Sequence, residues 1–142
     1  MILMMVLFCG VGLVAIDRWL KYLALGGVSR EFGTAQFVLF KNDALVFSWP
    51  APNLVAVVLM LIAIVVVMYV TWRKWQQHVI LGYLGGLLML LGAFSNLYDR
   101  LAYGYVVDWA YVGPWWPVFN VADLMVAAGL VLILWRRKGT AR

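Results

Sequence analysis

The chain is poor in charge, in histidine and in cysteine. Charged residues make up only 12% of its 142 residues, whereas 66% are hydrophobic and the mean hydropathy is +0.95. So few charges cannot cover a soluble globule, in which roughly 45–50% of residues are apolar. The single cysteine, Cys9, excludes an internal disulfide and a thiolate metal cluster. The composition therefore predicts one membrane-embedded domain over residues 1–142. Because no histidine or cysteine is expected near the acidic residues, the sequence does not predict a zinc site. A magnesium site made of carboxylates alone would be possible, but no pattern supports one, so we expect no metal and no other cofactor.

Apolar runs divide the chain into four segments. Each is near the ~20 residues that cross a ~30 Å hydrocarbon layer. They predict a membrane all-α bundle of four transmembrane helices, at approximately 1–20, 53–70, 78–95 and 118–135. The first run has the apolar character of a signal peptide, but it lacks a basic start and a small-residue cleavage site. We therefore expect it to be retained as a span.

Residues 32–48, between the first two spans, are rich in β-forming side chains. They predict a small β-element, either a short hairpin or a small sheet, lying on the outer membrane surface. Asn42-Asp43 is the expected turn of that hairpin, because asparagine and aspartate favour turns.

The net charge of +5 does not indicate a nucleic-acid-binding protein, because the cations flank apolar runs. The 71–77 loop carries Arg73 and Lys74 and no acid, and the C-terminal tail carries four more cations and no acid. Positive charge marks the cytoplasmic side of a membrane protein. Both termini are therefore expected in the cytoplasm, with all six acidic residues toward the outer face.

Two aspartates stand out among those acids. An ionised carboxylate near hydrocarbon costs roughly 2.5–3.5 kcal/mol on insertion scales. Asp108 follows a strand-like run, and Asp123 is expected about five residues inside an apolar helix, with no cation three or four positions away. If the two meet, repulsion leaves one protonated and one ionised near neutrality. Such a pair can activate water and polarise a carbonyl group, which predicts hydrolysis by an aspartate dyad.

Other polar residues share helix faces. Asp17 and Lys21 are four apart and can form an ion pair at the end of the first span. Asn96, Asp99 and Arg100 also share a face. Their spacing fits a capped helix end with an internal salt bridge and equally fits a polar wall facing a site. Separately, the glycines at positions 82 and 86 could allow a neighbouring helix to approach closely.

Three short blocks in the second half of the chain carry a family resemblance. They read LGAFSNLYDR at 91–100, GYVVDW at 104–109 and FNVAD at 119–123. In this order on four spans, they resemble the lipoprotein signal peptidase (signal peptidase II) family of bacterial membrane aspartyl peptidases. With Asp17-x-x-x-Lys21, the resemblance covers nearly the whole chain.

The resemblance implies a role for each polar residue. Asp108 and Asp123 would be the catalytic pair, with Asp99 as a structural residue beside it. The residues that would hold the substrate or the dyad are Asn42, Asn96, Arg100 and Asn120. Asp17 and Lys21 would brace the site.

The family hydrolyses the bond just before a diacylglyceryl-modified cysteine and so releases the signal peptide of a prolipoprotein. It is the target of globomycin-type cyclic peptides. The resemblance thus implies a monomeric, multi-pass protein of the bacterial cytoplasmic (inner) membrane. Its partners would be lipid-modified prolipoproteins and membrane lipid, without nucleic acid.

The chain departs from the family pattern at a few positions. Ala44 and Val46 replace a glycine and an alanine, Ser95 replaces a glycine, and the connection between the two aspartates is short. These changes concern the substrate groove more than the chemistry, and they predict a narrower or shifted set of substrates.

Two other classes of function compete with the peptidase prediction. In a small proton-coupled transporter, Asp108 and Asp123 would form a proton relay. Four short spans without an inverted repeat leave little room for alternating access. A non-catalytic lipid-binding scaffold would not need two carboxylates near hydrocarbon.

Overall fold

Four helices and a small antiparallel sheet make up the fold. The computed structural model describes residues 2–43 and 52–135. In chain order the elements are α1 (Ile2–Leu25), β1 (Arg30–Phe32), β2 (Ala35–Asn42), α2 (Asn53–Gln76), α3 (Ile80–Tyr103), β3 (Val106–Tyr111) and α4 (Val121–Leu134). The predicted combination of four helices with a small β-element is therefore confirmed. By length and composition, α2 and α3 are apolar enough to cross a membrane, and α4 is a shorter apolar helix.

Glycine allows α3 to lie directly against α4. A methyl group at Gly129 would lie 2.5 Å from the carbonyl oxygen of Gly85, and one at Gly92 would lie 2.5 Å from that of Ala122. The earlier residue of α3, Gly85, contacts the later residue of α4, Gly129, and the later Gly92 contacts the earlier Ala122. The two helices are therefore antiparallel. Backbones this close leave no space for a side chain between them.

The predicted close approach at the Gly82–Gly86 pair is also confirmed, and the neighbour is α2. A methyl group at Gly82 would meet the Lys74 side chain at 2.9 Å, and Gly86 lies against Thr71. The numbering again runs in opposite directions, so α2 is antiparallel to α3.

Helix α1 runs parallel to α3. Gly10 faces Leu91, and further along both helices Lys21 contacts Asn96. The C-terminal ends of α1 and α3 therefore lie at the same end of the bundle as the N-terminal ends of α2 and α4. We call this the site end. Here Asn53, the first residue of α2, donates through Nδ2 to the carbonyl oxygen of Arg100 at 3.1 Å.

The sheet lies at the site end, in the order β1-β2-β3. The predicted turn at Asn42-Asp43 is wrong. The chain reverses at 33–34, where Gly33 has a φ of 64°, a conformation that glycine adopts without strain. Asn42 instead ends β2 and pairs with Val106 of β3. Residues 44–48 of the predicted β-element, with the departures at Ala44 and Val46, lie outside the described residues.

Several charged side chains are buried inside this bundle, and many large apolar ones face outward. The buried polar and charged residues of the described chain include Asp17, Lys21, Asp99, Asp108 and Asn120. The outer surface of α2 is formed by aliphatic side chains such as Leu54 and Val65. This distribution reverses that of a soluble protein and is that of a membrane protein.

Replacing Gly129 with alanine tests the contact between α3 and α4. We expect Gly129→Ala to lower the free energy of unfolding by about 1–3 kcal/mol, because the new methyl group meets a backbone oxygen that cannot rotate away. Thermal unfolding in detergent, followed by circular dichroism, measures the change. Gly12→Ala is the matched control, because nothing lies within 4 Å of a methyl group there. Equal unfolding midpoints for the two variants would contradict this account of the packing.

Candidate active site

Asp123 is held at the beginning of α4 by the residue that caps the helix. The Asn120 side-chain oxygen accepts a hydrogen bond from the Asp123 backbone N–H at 2.9 Å. In return, Asp123 Oδ2 accepts one from the Asn120 backbone N–H at 3.1 Å. This reciprocal pair is a capping box, so α4 begins at Val121 and Asp123 is its third residue. The expectation that Asp123 lies about five residues inside the helix is therefore wrong.

The same asparagine also holds Asp108. Its Nδ2 donates to Asp108 Oδ1 at 2.6 Å, with longer contacts of 3.2 Å to Asn96 Oδ1 and 3.3 Å to the Val107 carbonyl oxygen. One amide side chain thus turns its oxygen toward the Asp123 backbone and its nitrogen toward the Asp108 carboxyl group. The structure brings the two predicted catalytic aspartates to the same residue, although a loop separates them in sequence.

A second amide completes the hydrogen bonding of each carboxyl group. Asn42 Nδ2 donates to Asp108 Oδ2 at 2.9 Å, and Asn96 Nδ2 donates to Asp123 Oδ1 at 2.8 Å. Both oxygens of both carboxyl groups therefore accept a hydrogen bond. Asp108 is 1% exposed, whereas Asp123 is partly exposed. Asp123 is accordingly the more accessible of the two carboxyl groups.

Burial raises the pKa of Asp108 to about 7, and the negative charge of Asp123 adds to this effect. The hydrogen bonds from Asn42 and Asn120 act in the opposite direction, because they stabilise the ionised form. A carboxyl group with this pKa can hold a proton at neutral pH beside a second, ionised carboxylate. This is the property that acid–base chemistry with two aspartates requires.

Lys21 lies beneath the dyad and is fully buried, at 0% exposure. Its Nζ is 2.7 Å from Asp99 Oδ2, 3.0 Å from Asp17 Oδ2 and 2.7 Å from Asn96 Oδ1. Three acceptors match the three N–H groups of an ammonium ion. The contact with Asn96 also orients that amide, because its oxygen faces Lys21 and its nitrogen must then face Asp123.

The buried acids Asp17 and Asp99 connect α1 to the rest of the bundle. Asp17 accepts from Ser95 Oγ at 2.6 Å and from the Ala122 backbone N–H at 3.0 Å. Asp99 accepts from Arg18 of α1 and from the Val107 backbone N–H. Of the two arrangements that the spacing of Asn96, Asp99 and Arg100 left open, the structure has the polar wall, since α3 continues to Tyr103.

Arg18 and Ser95 are polar residues of this network that sequence reasoning missed as site residues. The only signal was their position: Arg18 follows Asp17, and Ser95 precedes Asn96 and departs from the family pattern. Arg100 lies farther from the centre, where its Nη1 donates to the Asp43 carbonyl oxygen at 3.1 Å. It therefore holds the end of β2 beside Asn42.

The described residues contain no group of three or more histidine, cysteine, aspartate or glutamate side chains that could hold a metal ion. The groups that contact both aspartates are amide N–H groups, which donate hydrogen bonds and do not ligate a metal. That the chain works without a metal stays a prediction.

Comparison with known proteins links this geometry to one family. The family model described as Signal peptidase (SPase) II matches residues 9–137. A lipoprotein signal peptidase of Brucella ovis is 35% identical over an alignment that covers 93% of this chain and 92% of the relative.

Two other curated relatives match over shorter stretches. The lipoprotein signal peptidase of Wigglesworthia glossinidia brevipalpis is 30% identical over 61% of this chain, and the match spans 58% of that relative. The lipoprotein signal peptidase of Dichelobacter nodosus is 51% identical over a match that spans 32% of this chain and 32% of that relative.

Solved structures show the same fold. Two bacterial membrane enzymes match 92% of this chain, with TM-scores of 0.75 and 0.76 and identities of 20% and 23%. The matched part is 85% of the first enzyme and 90% of the second.

Removing the buried ammonium group tests the network beneath the dyad. Lys21→Met should lower the free energy of unfolding by about 3–5 kcal/mol, because it leaves buried carboxylates without their shared cation. Chemical unfolding in detergent measures the loss. Lys41→Met is the control, since Lys41 is exposed on β2 and its Nζ makes a cation–π contact with the Tyr105 ring at 5.3 Å, worth about 0.5–1 kcal/mol at an exposed site. A Lys21 variant as stable as the Lys41 variant would contradict this role.

Proposed function

The chain belongs to the signal peptidase II family, and we propose that it releases the signal peptide of prolipoproteins by cleaving just before the lipid-modified cysteine, with Asp108 and Asp123 as its catalytic pair. The observation that carries the proposal is the position of Asn120, which contacts both aspartates at once. Two carboxyl groups held at one asparagine, at the end of an apolar bundle, suit the hydrolysis of a peptide bond whose lipid remains in the membrane.

The reaction needs one proton shared between the two carboxyl groups. The ionised carboxylate takes a proton from water as the water oxygen attacks the scissile carbonyl carbon. The protonated carboxyl transfers its proton to the carbonyl oxygen, so that the tetrahedral intermediate is a neutral diol. When the carbon–nitrogen bond breaks, the carboxyl that took the water proton passes it to the leaving amine, and a hydroxyl of the diol returns a proton to the other carboxyl as the carbonyl group re-forms. The pair then again holds one proton.

The surrounding amides orient the carboxyl groups without competing for that proton. Asn42 and Asn120 hold Asp108, while Asn96 and the Asn120 backbone hold Asp123. Amide groups do not titrate near neutral pH, so proton transfer is confined to the pair. Lys21 acts one step away, as the residue that positions Asn96.

The proposed setting is a bacterial cytoplasmic (inner) membrane, which all four helices cross. The site end faces outward and both termini are cytoplasmic. Support comes from Arg73 and Lys74, which lie in the last turn of α2, at the end of the bundle opposite the site.

The proposed partners are lipid-modified prolipoproteins and membrane lipid. The chain acts as a monomer, and globomycin-type peptides bind it. The alternatives, a proton-coupled transporter and a lipid-binding scaffold, have no observation in their favour.

Removing either carboxyl group tests the dyad. Asp108→Asn and Asp123→Asn should each lower the turnover of a lipidated prolipoprotein by roughly 10²–10⁴-fold, because the single carboxyl group that remains in each variant cannot both accept a proton and donate one. The shift in gel mobility on cleavage measures turnover. Glu31→Gln, at an exposed acid on β1, is the control and should keep normal activity. Near-normal turnover by either aspartate variant would rule out the dyad.

The pH profile tests the proton on Asp108. Its pKa is raised to about 7, so the proton is held below that pH and lost above it. The kcat/KM value should therefore fall as pH rises through this range, since two ionised carboxylates cannot protonate the carbonyl oxygen. Asn42→Ala removes a hydrogen bond that lowers the pKa, so it should move this alkaline decline to higher pH. An unmoved decline would show that another group controls it.

Labelling with thiol reagents tests the orientation. In a Cys9→Ala background, a cysteine in place of Ser29 should react with a membrane-impermeant reagent in intact cells. One in place of Gln76, at the other end of the bundle, should react only after the cells are opened. Both positions are exposed in the structure, so the membrane alone distinguishes them. The opposite pattern would place the site in the cytoplasm.

A further inference from the structure

Two adjacent tryptophans project from the connection between the strand and the helix that carry the dyad. Trp115 is 91% exposed, more than any other large apolar side chain in the described part of the chain, and Trp116 is 66% exposed. They lie between two prolines in residues 112–118, which we call the tryptophan loop. This loop contains no charged residue. Adjacent large apolar side chains form a contiguous exposed patch, and such patches mark sites of contact with a membrane, a protein or a ligand.

The base of the tryptophan loop is tied to the site. The Ala110 backbone N–H donates to the Phe119 carbonyl oxygen at 2.8 Å, and the Phe119 N–H donates to the Ala110 oxygen at 3.1 Å. Ala110 is two residues beyond Asp108, and Phe119 directly precedes the helix cap Asn120. A force on the two indoles therefore reaches both catalytic segments through a short, hydrogen-bonded path.

Exposed aromatic residues occur at both ends of the bundle. At the site end they are Trp19, Tyr22, Tyr98 and Tyr103, and at the opposite end Trp72, Trp75 and Trp135. Helix α4 has 14 residues, or about 21 Å at ~1.5 Å per residue. This is shorter than a ~30 Å hydrocarbon layer. The tryptophan loop and Trp135 lie beyond its two ends, where tryptophan is enriched at membrane–water interfaces.

We propose that the tryptophan loop inserts into the headgroup boundary of the bilayer and so sets the depth at which Asp108 and Asp123 lie. The occupant of this surface is bilayer lipid. Because the loop carries no charge, its binding does not require anionic lipid. The insertion is independent of the proposed peptidase function, whereas its effect on cleavage rests on that function.

Quenching of tryptophan fluorescence by brominated lipid tests the insertion. The full chain and its W115F/W116F variant are reconstituted in phosphatidylcholine vesicles, and the difference between them reports on these two indoles. Bromine near the glycerol end of the acyl chains should quench this difference roughly twice as strongly as bromine near the methyl end, as expected for an interfacial residue. W72F/W75F, at the opposite end, is the positive control. W109F, which removes an indole packed 5.2 Å from the Phe37 ring, is the control for a partly buried position.

Two results would overturn the insertion. Quenching of the difference signal by aqueous iodide but not by brominated lipid would place the loop in water. Protection from both quenchers would mean that protein covers it. Neither measurement depends on peptidase activity, so failure here is distinguishable from failure of the proposed function.

Measuring cleavage in vesicles and in detergent tests whether the tryptophan loop sets the depth of the dyad in the bilayer. In vesicles, W115S/W116S should lower kcat/KM for a lipidated peptide by roughly tenfold, because a small displacement of the dyad relative to the bond is costly. In detergent, where no bilayer fixes depth, its activity should stay within about twofold of wild type. W115Y/W116Y should restore activity in vesicles, since tyrosine also favours the interface. An equal loss in both environments, or none in vesicles, would overturn the positioning role.

Discussion

The contact between Lys21 and its three acceptors is the interaction on which the polar end of this bundle depends. Two buried carboxylates and an amide converge on one ammonium group, and the same carboxylates receive backbone hydrogen bonds from Val107 and Ala122. Uncompensated charge in such surroundings would be expelled into water or neutralised. The ion cluster therefore determines where α1, α3, β3 and α4 meet. The dyad is built on that junction.

Above this junction, the chemistry is set by amides. Lys21 orients Asn96, Asn96 orients Asp123, and Asn120 joins Asp123 to Asp108. The capping box gives Asp123 a role in beginning α4 as well as in the site. If Asp123 served only to cap the helix, nothing would explain why the capping asparagine also holds Asp108, a second, buried carboxyl group with a raised pKa.

Local patterns in the sequence predicted which helices and strands exist better than they predicted where those helices and strands begin and end. The spacing of Asp17 and Lys21 predicted their ion pair, and Gly82 with Gly86 predicted a close helix neighbour. The turn at Asn42-Asp43 was wrong because Asn42 is needed inside the sheet, where it reaches Asp108, and Gly33 can form the turn instead. Arg18 was missed because its partner, Asp99, is 81 residues away.

By itself, the sequence determined that this is a membrane protein with helical runs, a few acids at one end and a family pattern around them. Hydropathy, charge and spacing are local properties, and a local pattern can be read along the chain. The tertiary structure alone decided which side chains meet. The hydrogen bond from Asn42 to Asp108 joins residues 66 apart, and Lys21 and Asn96 are 75 apart. Such contacts depend on the direction and packing of whole helices, here set by glycines that bring backbones together, and no spacing in the sequence encodes that distance.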